Sequence, residues 1–592
     1  MLSGSSRLAL SSTTSSGPPA SSSAVTILAC VPSDLGVSSH RLILATQRPA
    51  EGNSPDKSGE CRHIIERWPP VPCGKLDGME PVRLIGRWWL PTTPELAVGG
   101  VLEIDTSKPL LLQLTESLVK DDYSVGPVPT APVIWGAAAG RSVTLLDCWL
   151  SGGSKLTVGQ EVTRVQVLRT RVVLVGVHLD SGSDAAFDSG EVTITGLTAW
   201  ATRRGISIVP FPERDSSVEV RMEAHRVDSL EADLTDSAHW KFSLDWHHPF
   251  NGQPTIDAIS RSYSIVETLA LRATSTTPQT WDAFQAPWTG VRDLVTVATR
   301  HPAAITSRTL WIDDASDGPP AKVALYYTTS DDTPRAIREF DPHEVIFPLA
   351  GDAFTEVLEK WFALRESLGL SLDLVLGVDY YRGGYYLNQL FDVASAAEGF
   401  HAALCPKSTD LAPDEHAAIK QLIRTVTRGC NERDRQQVLQ ALEDADVDKS
   451  LQDRVSRLLA GLSSRDHRSW VSNRVGDNRP GLHLRYVELA TTKADPTAVK
   501  LLLTDVETWA SWLRTARNAV GHVNADDLKK IPEDALFHLM SVTRALLLLV
   551  LLAELGLDTD TQQRLADDDG VWGHRARQFR HALQDAASST NS

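Results

Sequence analysis

The chain has few of the features that characterise secreted, metal-binding or membrane proteins. Its 592 residues include only six cysteines, at positions 30, 61, 73, 148, 405 and 430, and these show neither paired metal-ligand spacing nor the density of a disulfide framework. The longest purely hydrophobic run near the C-terminus, residues 545–553, is well short of the ~20 residues of a bilayer span. We therefore expect a cytoplasmic protein with no metal ion, no cofactor and no membrane partner, in which this run forms a core helix.

An excess of positive charge is also lacking. The formal net charge is -17 and the sequence pI is about 5.5, so no global field attracts polyanions and any contact with nucleic acid has to be local. With 42% hydrophobic residues the chain can bury large cores, and its length exceeds what a single core serves. These values predict a protein of roughly three units, each of about 150 residues.

The first 60 or so residues have a composition unlike that of a folded domain. Serine, threonine and proline dominate, and no acidic residue occurs before Asp34. Patterned sequence begins just after Met79, and translation could start at this methionine. Residues 1–79 are therefore predicted to be a disordered or mis-annotated leader. A targeting peptide is the alternative interpretation, because Arg7 precedes a short apolar run at residues 24–31.

From about residue 80 to 335 the apolar residues recur at a period close to two. Short β-favouring runs are separated by turn sequences such as Gly99-Gly100 and Asp317-Gly318. The runs are 101–105, 110–114, 143–146, 165–167, 173–179, 192–194, 218–222 and 323–327. They predict an antiparallel sandwich or barrel-like domain over residues 80–335, with one or two helices around 285–300 and core packing for most of its tryptophans.

After about residue 340 the period becomes helical. Apolar residues spaced by three and four, with Gly or Pro near several ends, predict helices at 352–368, 386–403, 413–428, 433–442, 451–462, 496–520 and 533–555. The last of these is hydrophobic on all sides, so it is predicted to be the central helix of a bundle over residues 336–592. The predicted fold class is α+β multidomain, with an antiparallel β-rich domain followed by an all-α bundle.

The sequence from Arg517 to His522, Arg-Asn-Ala-Val-Gly-His, carries the clearest chemical signal. The apolar residues before and within it form one stripe of the predicted helix, and Arg517 lies at the edge of that stripe while Asn518 and His522 lie off it. Asn518 and His522 are four residues apart and therefore lie one above the other on a helix. These three polar side chains are suited to contacting a phosphodiester.

Helical geometry limits how this motif can act within one chain. Arg517 and His522 are five residues apart, which places them about 140° apart around an ideal helix, so one straight segment does not easily direct both at a single phosphate. Either Gly521 bends the segment, or the site uses residues from a second chain. The structural alternative is that the arginine and histidine are solvated or capping residues near a helix end.

Two parts of the sequence together resemble a known family. The Arg517-Asn518-x-x-x-His522 motif, late in a helical region and followed by a long apolar helix, resembles the HEPN superfamily of metal-independent ribonucleases. Residues 86–91 (GRWWLP), 98–102 (VGGVL), 134–136 (IWG) and 143–148 (VTLLDC) resemble the N-terminal domain of ApeA-type proteins. Those are bacterial anti-phage defence proteins that join such a domain to a C-terminal HEPN nuclease.

The resemblance implies an endoribonuclease of abortive infection that cleaves RNA by attack of the 2′-OH. Histidine titrates near pH ~6.5 and is suited to general acid or base work, which is the role implied for His522. Arg517 would bind the phosphate, and Asn518 would orient the histidine or donate to a phosphate oxygen. The implied partners are RNA, with tRNA one candidate, a phage-derived trigger sensed by the β domain, and a second copy of the chain in a homodimer or higher oligomer.

Other functions stay open at this stage. The chain could be a catalytically silent sensor and dimerisation module, or a nucleotide-binding HEPN protein. No Walker-type loop supports nucleotide binding, since Gly152-Gly153-Ser154-Lys155 lacks the required spacing. Two further residues have open roles: Arg514 either contacts RNA or pairs with an acid, and Glu398 either supports the site or is a surface carboxylate.

Overall fold

The computed structural model describes residues 26–30, 41–45 and most of residues 82–590, and the larger gaps in the last range are 120–127, 248–254, 328–344 and 458–477. Of the predicted leader, residues 1–79, it describes only two paired antiparallel strands, β1 (Thr26–Cys30) and β2 (Arg41–Ala45). The rest of that prediction, and the predicted domain boundary after residue 335, lie outside the described residues. The chain divides into two compact units, Met1–Leu358 and Glu359–Ser592.

The first unit contains a closed six-stranded antiparallel barrel, as the alternating pattern predicts. Its strands are β3 (Val82–Trp89), β4 (Val98–Ile104), β5 (Leu110–Leu114), β6 (Thr130–Ala138), β7 (Arg141–Val158) and β8 (Glu161–Val175). They pair in the order β8-β5-β4-β3-β6-β7, and pairing of β7 with β8 closes the ring. Closure leaves no exposed strand edge around the ring. The predicted run at 165–167 and the first part of the run at 173–179 both lie in β8, and the rest of the second run lies in the loop after it.

Side chains that alternate along the strands fill the barrel. Every second residue of β4 is buried, and Trp88 is completely buried among the aliphatic side chains of the core. A Cβ atom at Gly136 would lie 2.3 Å from the Trp88 ring, so this position has room for glycine only. The sequence signals Trp88-Trp89 and Ile134-Trp135-Gly136 thus lie on two adjacent strands of one barrel wall.

The far end of β8 joins the barrel to an open antiparallel sheet. The remaining strands of the unit are β9 (Phe187–Ile194), β10 (Ile206–Pro212), β11 (Val218–Ala224), β12 (Leu230–Leu234), β13 (Trp240–His247), β14 (Thr255–Ile256), β15 (Arg261–Ser262), β16 (Thr268–Gln279), β17 (Ile305–Ile312) and β18 (Ala321–Tyr327). The sheet runs β12-β13-β16-β9-β17-β18-β8. Short helix α1 (Leu197–Trp200) and buried helix α2 (Gln285–Thr299) complete the unit, and α2 confirms the predicted helix.

The tryptophans of this unit are less uniformly buried than their hydrophobicity predicts. Trp88 and Trp200 are completely buried, whereas Trp149 is 37% exposed. Trp89, Trp135, Trp240 and Trp246 are half-buried. The prediction of core packing for most of them is therefore only partly correct, because an indole is large enough to lie at the rim of a barrel or sheet with one edge in solvent.

The second unit is helical, as predicted. Its described helices are α3 (Phe354–Leu368), which spans the division between the units, α4 (Leu370–Tyr380), α5 (Tyr386–Leu404), α6 (Pro413–Arg428), α7 (Glu432–Asp444), α8 (Leu482–Thr492), α9 (Pro496–Leu503), α10 (Val506–Gly521), α11 (Ala525–Leu528), α12 (Glu533–Glu554), α13 (Thr559–Ala566) and α14 (Gly573–Thr590). The predicted helix at 451–462 lies largely outside the described residues.

Helix α12 is the central helix of this unit. All its side chains from Leu539 to Leu552 are buried, which confirms the prediction from its uniformly apolar sequence. The helix is long and apolar enough to cross a membrane, but 89% of its most apolar window is buried inside the folded unit. It is therefore a core helix. It is not the last helix, since α13 and α14 follow it.

The single helix predicted over residues 496–520 is two helices. Helix α9 ends at Leu503, Thr504 has a positive φ of 63°, and Asp505 caps the start of α10. The Asp505 carboxylate accepts hydrogen bonds from the backbone N–H groups of Glu507 at 3.0 Å and Thr508 at 3.1 Å. An aspartate two to three residues before unsatisfied N–H groups is a helix start signal, and the apolar periodicity alone conceals it.

Candidate active site at the end of helix α10

Helix α10 presents the Arg-Asn-His motif as the sequence predicts. Its buried residues are Trp509, Ala510, Leu513, Ala516 and Ala519, so the predicted stripe is confirmed in the middle of the helix, whereas Val506 and Val520 at its ends are only half-buried. The Trp509 indole N–H donates to the Thr543 hydroxyl at 3.0 Å and ties the stripe to α12. Arg517 is thereby held at the edge of the buried stripe, and His522 lies exposed at the helix end.

The helix ends immediately before the histidine. His522 is the C-cap, its backbone N–H donates to the Asn518 carbonyl at 2.9 Å, and the Asn524 N–H reaches back to the Ala519 carbonyl at 2.7 Å. Val523 between them has a φ of 53° and is 92% exposed. This is the hydrogen-bond pattern of a Schellman cap, in which glycine is the usual residue at the left-handed position. A β-branched residue there is strained.

Gly521 is the last residue of helix α10, and the chain leaves the helix at His522. The helix continues through Gly521, and a Cβ atom at this position would lie 3.2 Å from Cε2 of Phe391 on α5. The absence of a side chain therefore allows the last turn of α10 to pack closely on α5. Close approach to α5 is therefore a role of this glycine.

Arg517 is held by a carboxylate from α5. An Arg517 terminal nitrogen donates to Glu398 Oε2 at 3.2 Å, and Arg485 on α8 donates to Glu398 Oε1 at 2.9 Å. Arg485 also donates through Nε to the Pro480 carbonyl at 2.6 Å. One carboxylate thus bridges two guanidinium groups from two helices, which leaves a net positive charge. The predicted alternative that Glu398 supports the site agrees with this contact.

The pair lies at a half-buried position. The side chains of Arg517 and Glu398 are 29% and 30% exposed, and that of Arg485 is 11% exposed. The Arg517 guanidinium carbon lies 5.9 Å from the centre of the Phe391 ring, and Arg517 Nε is buried without a hydrogen-bond partner in the part of the chain that the structure describes. The buried Nε is not open to a ligand, so the exposed part of the guanidinium is what remains available to an anionic oxygen.

Tyr486 is completely buried next to Glu398 and its two arginine partners. Burial, and secondly the charge of Glu398, raises the pKa of Tyr486 well above its usual range. The protonated hydroxyl donates to the Ala394 carbonyl at 3.1 Å. Tyr486 is therefore a neutral structural residue that joins α8 to α5, and the charged groups of the site are the two arginines and Glu398.

The structure brings together only some of the predicted site residues. Asn518 is half-buried and His522 is exposed, and no hydrogen bond links either side chain to Arg517 among the described residues. Arg514 is exposed one turn before the motif, and it forms no ion pair with any residue that the structure describes. In one chain, Arg517 is fixed against α5 while the imidazole projects from the helix end into solvent.

Sequence reasoning missed Arg485 because it missed helix α8. The buried residues Tyr486, Leu489 and Ala490 recur at helical spacing, and this periodicity in residues 482–490 is the signal that could have identified the helix. The link from Arg485 to Glu398 spans 87 residues and has no local signal. Sequence reasoning also missed a group of three side chains that could bind a metal ion, because one of them, Glu488, lies on α8. The ligand atoms of His401, Cys405 and Glu488 all lie within 4.8 Å of one another.

The fold and site define a two-unit protein, with an N-terminal antiparallel barrel and a C-terminal helical unit that carries Arg, Asn and His at a helix end. The family model of ApeA N-terminal domain 1 matches residues 83–361, and the model of Apea-like HEPN matches residues 460–561. The chain is thus an ApeA-like protein with a C-terminal HEPN domain. HEPN domains are usually ribonucleases. Searches of curated proteins and of solved structures gave no match.

The matched ranges cover most of the site. Arg485, Arg517, Asn518 and His522 lie within the HEPN match, whereas Glu398 on α5 lies between the two matches. The helical unit therefore contributes to the site from a helix outside the matched segment.

Proposed function

We propose that this protein is a metal-independent endoribonuclease of bacterial anti-phage defence, which acts in the cytoplasm through abortive infection. One observation carries the proposal: within a HEPN domain, α10 holds Arg517 against Glu398 and presents the His522 imidazole at the exposed end of the same helix. A fixed cation and an accessible acid–base group are the two elements that cleavage of a phosphodiester requires.

The proposed reaction uses the nucleophile that RNA already carries. The His522 imidazole accepts the proton of a ribose 2′-OH as its oxygen attacks the adjacent phosphorus, and the bond from phosphorus to the 5′-oxygen breaks. Solvent supplies a proton to that 5′-oxygen and His522 gives its own proton back to solvent, which leaves a 2′,3′-cyclic phosphate and a 5′-OH. Arg517 binds the phosphate and offsets the charge on its equatorial oxygens. Asn518, one turn before His522, orients the imidazole or donates to a phosphate oxygen.

The proposed active form is a homodimer in which two motifs face each other. Arg517 is anchored on α5, whereas His522 extends from the helix end with its side chain in solvent, so a second copy can supply the partner group at one scissile phosphate. A twofold axis would place the same patch on both sides of the cleft. The site of one chain would then combine its own Arg517 with the partner's imidazole.

Local positive charge is the proposed basis of RNA binding. Arg514 and Arg517 lie on the last turns of α10, and Arg485 adds a third cation that shares Glu398 with Arg517. Two copies double this patch, although the whole chain has a net charge of -17. RNA affinity is therefore expected to fall steeply as salt concentration rises.

We propose tRNA as the substrate class. We also propose that the first unit, which contains the barrel, senses a phage-derived trigger.

Cleavage by the purified full-length protein tests this proposal. In EDTA, the wild type should produce 5′-OH and 2′,3′-cyclic phosphate ends, and His522→Ala should slow cleavage by about 100- to 10,000-fold, since general acid–base catalysis contributes that much. His225→Ala, which alters an exposed histidine of the barrel unit, is the matched control and should cleave normally. Strict dependence on added Mg²⁺, or equal cleavage by His522→Ala, would contradict the proposal.

A further inference from the structure

Helices α5 and α8 also bring together a cluster of three side chains, His401, Cys405 and Glu488, which is separate from the Glu398 ion pair. His401 is almost completely buried on α5, and its Nε2 donates to Glu488 Oε2 on α8 at 2.9 Å. Cys405 is the C-cap of α5, where its backbone N–H donates to the His401 carbonyl at 2.8 Å. A spacing of four residues places the imidazole and the thiol on one side of the helix end. The Glu488 carboxylate lies opposite both.

These three side chains offer one nitrogen, one sulfur and one oxygen ligand. Their ligand atoms all lie within 4.8 Å of one another. Zinc binds such atoms at about 2.0–2.3 Å in a tetrahedral arrangement, so modest side-chain rotations suffice for a shared ion. A thiolate with an imidazole favours zinc over magnesium or calcium, which prefer oxygen ligands only.

The charges around the cluster agree with a divalent cation. The half-buried Cys405 thiol is hydrogen-bonded to Thr492, and the Glu488 carboxylate lies beside it. Lys493, which lies near the thiol, forms an ion pair with Glu554 at 3.3 Å. Glu488 and a Cys405 thiolate would therefore carry two negative charges, which a divalent ion neutralises. Ser408, whose hydroxyl also donates to Glu488, would keep the carboxylate oriented.

We propose that His401, Cys405 and Glu488 bind a zinc ion that cross-links α5 and α8. On binding, the Cys405 thiol releases its proton to solvent, and His401 takes the tautomer with its proton on Nδ1, so that Nε2 binds the metal in place of its hydrogen bond to Glu488. Water completes the tetrahedral set. The ion has a structural role: it fixes the two helices that supply Glu398 and Arg485, and it takes no part in the cleavage of RNA.

Zinc content and cobalt absorption test this site on the full-length protein. After purification with zinc and removal of loosely bound metal, the wild type should retain about one zinc ion per chain. Replacement of zinc by Co²⁺ should produce a near-ultraviolet absorption band from the thiolate ligand. Cys405→Ser should lose both signals, and zinc should raise the thermal midpoint of the wild type but not of this variant.

A second cysteine provides the matched control. Cys148 is buried in the barrel, where desolvation raises its pKa to about 12, so Cys148→Ser should retain the zinc and the cobalt band. Equal zinc content in Cys405→Ser and the wild type would overturn the assignment, as would a wild-type protein without a thiolate band. If Cys405→Ser does not fold, the wild-type cobalt spectrum alone decides. Failure here leaves the nuclease proposal intact, because that proposal uses none of these three ligands.

Discussion

At the scale of single residues, the shared carboxylate of Glu398 decides what Arg517 can do. It orients the Arg517 guanidinium, yet because Arg485 binds the same carboxylate, the group as a whole remains cationic. The carboxylate therefore positions the phosphate ligand without neutralising it. Glu398 is a positioning residue, and its removal should affect catalysis more than folding.

Glu398→Gln should lower the rate of RNA cleavage by about 10- to 100-fold, since small misplacement of a binding group has effects of that order. Its amide keeps one acceptor but loses the charge that attracts both arginines. Single-turnover cleavage with the RNA concentration varied measures the effect, which we expect in kcat more than in KM. Glu415→Gln, at an exposed glutamate of α6, serves as the control. An unchanged kcat for Glu398→Gln would show that Arg517 needs no support from α5.

Val523→Gly tests the strain at the end of α10. A valine at φ 53° is expected to cost about 1 kcal/mol, and glycine removes that cost. The thermal midpoint of the helical unit should therefore rise by about 2–4 °C, as measured by calorimetry. The control, Val520→Gly, lies within the helix and should lower it. A decrease for Val523→Gly would mean that no strain is stored beside His522.

At the scale of helices, the contact of α10 with α5 positions the site. Gly521→Ala places a Cβ atom 3.2 Å from the Phe391 ring, so the ring and the last turn of α10 have to move apart by a few tenths of an ångström, and cleavage should fall by up to about tenfold. Gly521→Ala combined with Phe391→Leu should recover most of the activity, because the two positions are in contact and couple. Additive losses in the double variant would contradict a steric origin.

Local patterns in the sequence account for the elements but not for their partners. The stripe through Trp509, Leu513 and Ala516 predicts α10 correctly, because apolar spacing depends on one helix alone. The break at Thr504 was missed, because the cap at Asp505 is a polar signal within an apolar pattern. The contacts of Arg517 and Arg485 with Glu398 span 119 and 87 residues, and no single-sequence pattern determines which distant helices meet.

The same limit applies to the barrel. Alternation predicts strands and an antiparallel fold, because a side-chain period of two follows from strand geometry. It does not distinguish a sandwich from a ring. Closure depends on the pairing of β8 with both β5 and β7, and the alternation within one strand does not determine its partners.

At the scale of the whole molecule, the proposed site needs two copies of the chain. Arg517→Ala and His522→Ala should each be nearly inactive as purified. When they are mixed and refolded together, half of the dimers carry one complete composite site, so about a quarter of the wild-type activity should return. Cleavage of a labelled RNA in the mixture measures this recovery. A mixture no more active than its components would place both groups in one chain and contradict the dimeric site.

The central claim is that Arg517 and His522 together cleave RNA, and the most direct test is to map RNA ends in cells. Wild type and His522→Ala are expressed side by side, and total RNA is sequenced at its 5′-OH ends. Discrete new ends should appear with the wild type and be absent with His522→Ala. Identical patterns of ends in the two samples would contradict the claim.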